Sequence, residues 1–171
     1  MDFLRDQEHR FHAMVATASD LDNHVLRLQS ATGPSTVVRM VRGRRMQSKE
    51  LLLDEFAAAL QFPLYFGRNW DAFEECMADL QWLPAKAYVL IISDAGSLLK
   101  MEPANSVVVL FEILERASRE WAAGKLPDIN VEQEPVPFHV LLQDDASNIA
   151  DLKRALLPVV GDIPVVSIDL N

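Results

Sequence analysis

The chain is poor in the residues that most local chemistry needs. It has one cysteine, Cys76, among 171 residues, with six glycines and two tyrosines. A single cysteine excludes an internal disulfide and agrees with a reducing compartment. No glycine-rich phosphate loop and no nucleophile elbow occur. No run approaches the roughly 18 apolar residues that a membrane span requires. The opening MDFLRDQEHRFHAM is too charged for the apolar part of a signal peptide. The sequence therefore predicts a soluble, cytoplasmic protein with no membrane partner and no cofactor.

Bases are scarce after residue 50. Residues 1–50 hold 8 Lys+Arg against 6 Asp+Glu, whereas residues 51–171 hold 8 against 19. Formal net charge is −9. Such a chain lacks the basic patch that grips nucleic-acid phosphates. Its acidity keeps it soluble and would speed encounter with a basic protein. With 50% hydrophobic residues and a mean hydropathy of +0.06, the chain can bury an ordinary core. We read residues 1–171 as one domain.

Periodicity predicts a helix over residues 3–17, where Phe3, Leu4, Phe11 and Met14 can share a face. Residues 24–29 alternate like a strand, and 36–41 read as a second; the turn ATGPS could join them as a hairpin. RGRR at 42–45 reads as a solvated loop. Ser48 caps a helix over 49–60, which stops before Pro63. Asn69 caps another over 70–81. The apolar run 87–93 reads as a central strand buried on both faces. A helix over 103–123 ends at Gly124, and PDINVEQEPVP is loop-like. Residues 138–142 form a buried strand, Asn148 caps a helix over 149–157, and 164–169 form an edge strand. Strands separated by helices predict an α/β sandwich of two or three layers around a mostly parallel sheet.

What the chain does have in excess is negative charge on one short helix. YFGRNWDAFEECMADL, residues 65–80, carries Asp71, Glu74, Glu75 and Asp79 with no base after Arg68. Phe73, Met77 and Leu80 share the inward face, flanked by Trp70 and Cys76. The carboxylates lie opposite, at i, i+3, i+4 and i+8. Like charges four residues apart cost a helix a few tenths of a kcal/mol per pair. Asp71 recovers some of that through the helix dipole. A charged stripe is usually a solvent face, but solvent faces normally mix Lys and Arg with the acids. Tyr65, Phe66 and Gly67 set aromatic surface and a flexible turn beside the stripe. Gly67 is expected to hold a backbone conformation barred to other residues. Aromatic anchors beside carboxylates suit a basic protein partner.

The stretch FPLYFGRNWDAFEECMADL resembles the signature of the barstar family, intracellular inhibitors of secreted bacterial ribonucleases. The matching positions are Tyr65, Phe66, Gly67, Asn69, Asp71, Ala72, Phe73, Glu75, Cys76 and Met77. The similarity spans residues 36–143. The flanking segments would add an N-terminal helix and hairpin and a C-terminal helix and strand. The resemblance implies a non-catalytic inhibitor whose acidic helix and preceding loop plug a nuclease active site. By position it assigns Asp71 and Glu75 to the principal cation-pairing carboxylates and Tyr65 to the aromatic contact. It places a further acidic contact near Glu115 or Arg116. The chain departs from the pattern where Glu75 replaces an Asp and Glu74 a tryptophan. The implied partner is a basic protein, a ribonuclease or nuclease toxin for which this chain would be the immunity protein. A second copy of the chain is a compatible partner.

Two rival readings belong to other classes. One is a barstar-like interaction or regulatory module without a nuclease partner. The other is a hydrolase pairing Cys76 with His139; acidic neighbours would suppress the thiolate that it needs. His9, His12 and His24 show no metal-ligand spacing and read as surface histidines. Asp144–Asp145 follows a strand and reads as a helix-leading loop. Trp82 and Trp121 read as core or interface residues.

Overall fold

The apolar run at 87–93 lies inside a parallel sheet, as its composition requires. The computed structural model describes residues 2–6, 8–124 and 134–166. Among them, four strands form one sheet: β1 (Phe11–Val15), β2 (Thr36–Arg42), β3 (Ala87–Ser93) and β4 (Phe138–Asp144). Their order is β1-β4-β3-β2, and every pairing is parallel. Five α-helices flank them: α1 (Ala18–Thr32), α2 (Lys49–Leu60), α3 (Trp70–Asp79), α4 (Asn105–Ala122) and α5 (Ala146–Val160).

The strand order decides which face each helix covers. From β2 through β3 to β4 the chain steps one way across the sheet. From β1 to β2 it steps the other way. Right-handed crossovers then put α1 on the opposite face from α2, α3 and α4. The core divides accordingly. Leu52, Phe56, Phe73, Met77, Leu110, Phe111, Ile149 and Leu156 form the larger cluster with Leu90, Ile92, Val140 and Leu142. Phe3, Leu21 and Leu28 form the smaller one with Met14, Val38, Val89, Ile91 and Leu141. The result is a three-layer α/β sandwich.

The N-terminal expectations are corrected. Residues 3–17 are a 3-10 turn (Asp2–Arg5) and β1, not a helix. FHAMV is nearly all buried between two layers, so its pattern carries no period. Residues 24–29 are not a strand, and there is no hairpin; they lie within α1. The alternation of HVLRLQ concealed a helical stripe, Leu21, His24 and Leu28, buried at i, i+3 and i+7. Thr17 caps this helix, its hydroxyl accepting the Asp20 N–H at 3.2 Å.

Further along, β2, α2, β3, α4 and β4 lie where the sequence puts them, within two residues. Ser48 caps α2, accepting the Leu51 N–H at 3.4 Å. α5 begins earlier than expected, at Ala146, with Asp145 as its cap. Asn148 instead donates from its amide to Asp144 at 2.9 Å. The final strand reduces to a bridge from Ala13 to Val165; residues 167–169 lie outside the described residues, as does most of PDINVEQEPVP. No described helix is long and apolar enough to cross a membrane.

Candidate protein-binding site

The acidic helix is set at its angle by the loop before it. Gln61 takes a left-handed conformation (φ 55°) and ends α2. Pro63 accepts the Phe66 N–H at 2.9 Å, which tightens the loop. Phe62 packs edge-on against Phe66, ring centroids 4.9 Å apart, and near Trp82 at 5.9 Å. Left-handed geometry falls on Arg68 (φ 52°) and not on Gly67, which corrects the expectation for the glycine. At Gly67 the packing is close: a Cβ there would lie 3.3 Å from the Asn69 amide nitrogen, which would have to give by a few tenths of an ångström, and 3.4 Å from the Ala72 Cβ. Asn69 then caps α3, accepting the Ala72 N–H at 2.8 Å.

α3 buries the side that the sequence predicts. Phe73, Cys76, Met77 and Leu80 are inside. Phe73 stacks edge-on against Phe56 at 4.9 Å. The Trp121 indole donates to the Met77 carbonyl at 3.0 Å and ties α4 to the end of α3. Trp70 is half-buried over Phe73. With this side anchored, Asp71 and Glu75 face solvent, while Glu74 and Asp79 are half-buried at the margins.

The four carboxylates do not behave alike. Glu74 is held by Arg116 of α4, which corrects the picture of a stripe without bases. That cation comes from 42 residues away, so local sequence hides it. Among the described residues, no cation lies within 4 Å of Asp71, Glu75 or Asp79. Arg68, the nearest base in sequence, turns back to α2 and pairs with Asp54 at 2.7 Å. Of the two positions considered for the further acidic contact, Glu115 pairs with Arg10 at 3.3 Å and Arg116 with Glu74. Neither presents a free carboxylate beside α3.

Glu75 and Asp79 open onto a groove of about 460 Å³ between α3 and the loop. Tyr65, Phe66 and Trp82 line it, with Cys76 at its base. Tyr65 is 77% exposed, and its neighbour Leu64 is wholly exposed. Two large apolar side chains held in water at a loop tip are what a contact anchor looks like before it is covered. Sequence reasoning left Trp82 undecided and missed Leu64. The aromatic density from Phe62 to Phe66 was the available signal for both.

The rival sites look different in three dimensions. Burial, then the charges of Asp79 and Glu75, push the Cys76 thiol up to about 11, away from a reactive thiolate. His139 faces the α1 side of the sheet, against Phe3 and His12, so the sheet separates it from α3. His12 and His24 are buried and not surface residues, because the N-terminal turn and α1 fold over them. Among the described residues, no group of three metal-binding side chains converges. Asp144 is consumed structurally, accepting the Gly96 N–H at 2.7 Å and the Asp145 N–H at 2.7 Å.

The family described as Barstar (barnase inhibitor) matches residues 36–143. No curated protein matches the chain. The matched segment is more than half of the chain and contains the loop, α3 and the groove. The chain belongs to the barstar family.

Proposed function

We propose that this barstar-family chain is a non-catalytic, cytoplasmic inhibitor of a ribonuclease or nuclease-like toxin, with residues 1–171 acting as one domain. Its family is one of nuclease inhibitors. The observation that carries the reading is the row Asp71, Glu75 and Asp79, which has no partner cation among the described residues and stands beside an aromatic groove. An enzyme that stabilises phosphate charge presents unpaired Arg, Lys and His side chains. Carboxylates fixed on a capped helix satisfy those cations with little reorganisation. Asp71 and Glu75 are the principal pairing groups. Asp79 adds to the field at the groove, and Glu74, already offset by Arg116, contributes least. Tyr65, Phe66 and Trp70 surround the contact, and Gly67 and Asn69 hold its geometry.

The test is binding to a basic ribonuclease across a salt series, with Asp71→Ala and Glu75→Ala. Faster dissociation in both variants and a steep salt dependence are expected. Dissociation rates that stay at the wild-type value in both would refute the reading. The second reading, a regulatory module without a nuclease partner, is favoured by β1 and α1, which lie outside the matched segment. Retrieval of a partner without nuclease activity would select it.

A further inference from the structure

Three of the chain's four histidines are buried on the side of the sheet opposite the acidic helix, and two of them, His12 and His139, meet. His12 on β1, His139 on β4 and His24 on α1 are 1%, 3% and 8% exposed. His12 Nε2 lies 3.3 Å from His139 Nδ1. Phe3, from the N-terminal 3-10 turn, covers both rings, with centroids 4.9 and 6.0 Å away. His12 Nδ1, His24 Nε2 and the Nε of Arg10 are buried without a hydrogen-bond partner among the described residues.

The surrounding charges give an imidazolium little help. From the turn and the segment before β1 come Asp6, His9 and Arg10. Asp6 is the one favourable charge, and it is already engaged by the N–H groups of Glu8 and His9 and by the His9 ring at 3.0 Å; the backbone at Leu4 and at His9 gives His139 and His12 smaller help. Arg10 adds positive charge and is held by Glu115 of α4 at 3.3 Å. From α1 come His24 and, near it, Arg27, both of the wrong sign. From β2 and β3 the facing side chains are apolar: Val38, Val89 and Ile91.

We propose that His12 and His139 form an acid-sensitive latch that releases the N-terminal turn, β1 and α1 from the sheet while the opposite layer stays folded. The shared hydrogen bond survives one added proton at most. When both rings are charged, both facing nitrogens carry N–H and the rings repel across 3.3 Å. Burial first, then the neighbouring His139, lowers His12 from 6.5 to about 4. Burial likewise lowers His139 and His24. The undocked chain therefore binds more protons than the docked one between about pH 6.5 and 4, and docking weakens as pH falls through that window. The latch lies in the layer contributed by residues outside the family's matched segment, apart from His139 itself. It does not depend on the inhibitor reading.

The experiment is amide hydrogen exchange on the full chain from pH 7 to 5, compared as protection factors. For β1, His12 alone gives a fall of about twentyfold between those two values, with a larger fall once His139 joins. β2 and β3 should retain most of their protection. His12→Phe combined with His139→Leu should flatten the β1 profile. Parallel loss in β1 and β3, no loss in β1, or an unchanged profile in the double variant would each overturn the latch. Imidazole titration of the unsubstituted protein by NMR covers a double variant that does not fold. A His12 midpoint below 5 that tracks the loss of β1 supports the proposal, and a midpoint near 6.5 in the folded protein removes it.

Discussion

The two faces of the sheet treat ionisable groups in opposite ways. On the α3 side, Asp71, Glu75 and Asp79 are at least partly exposed, with no cation paired to them among the described residues. On the α1 side, three imidazoles are shut away from water, two of them, His12 and His139, beneath Phe3. The first arrangement tolerates charge and leaves it available to another molecule. The second forbids charge and makes folding of that layer depend on the proton supply. The same sheet supports both because the reversal of strand order at β1 sends one helix to the far face.

The comparison can be broken most severely at the core under α3. Phe73→Ala removes the ring packed against Phe56 and should lower stability by about 3–5 kcal/mol in urea unfolding. It should also weaken partner binding by tilting the acidic helix. The next largest effect separates binding from stability. Asp71→Ala and Glu75→Ala should each weaken a nuclease complex by about 2–5 kcal/mol, the general cost of truncating one partner of a buried interfacial charge pair. Glu75→Ala should leave the free protein slightly more stable, by a few tenths of a kcal/mol, because Asp71 loses a like charge four residues away. Surface plasmon resonance and thermal unfolding on the same samples check both halves.

Acid tests the other face. Between pH 7 and 5, His12 should cost the N-terminal layer about 2 kcal/mol. Its folded value lies below the ordinary one, so the loss grows as pH falls. A smaller effect belongs to the cap: Asn69→Ala should cost about 1 kcal/mol. The smallest is Arg116→Ala. Its pair with Glu74 is about half exposed, so its loss should cost between roughly 0 and 1 kcal/mol. A large loss of nuclease binding in that variant would mean that Glu74 needs its clamp to contribute.

The α3 face was readable in the sequence because its signals are local. Asn69, Gly67, the inward spacing of Phe73 and Met77, and the acids between them lie within eleven residues. The α1 face was not readable, because its signals are long-range. FHAMV becomes a strand only through pairing with Phe138–Asp144, and its histidines are buried only because Phe3 and α1 cover them. HVLRLQ fits two periods, and tertiary packing of Leu21, His24 and Leu28 selects the helix. The Arg116–Glu74 pair escaped for the same reason, as did the role of Asp144, whose partners lie on the β3–α4 connection as well as at the start of α5.

β1 also bears on how the chain folds. Among the described residues its one strand partner, apart from the bridge at Val165, is β4, which begins more than a hundred residues later. Closing so large a loop is entropically slow, so the edge strand should join last. During synthesis the first layer must wait, uncovered, until nearly the whole polypeptide has emerged. The acidic helix and its supporting strands β2 and β3 are neighbours in sequence and can assemble well before that.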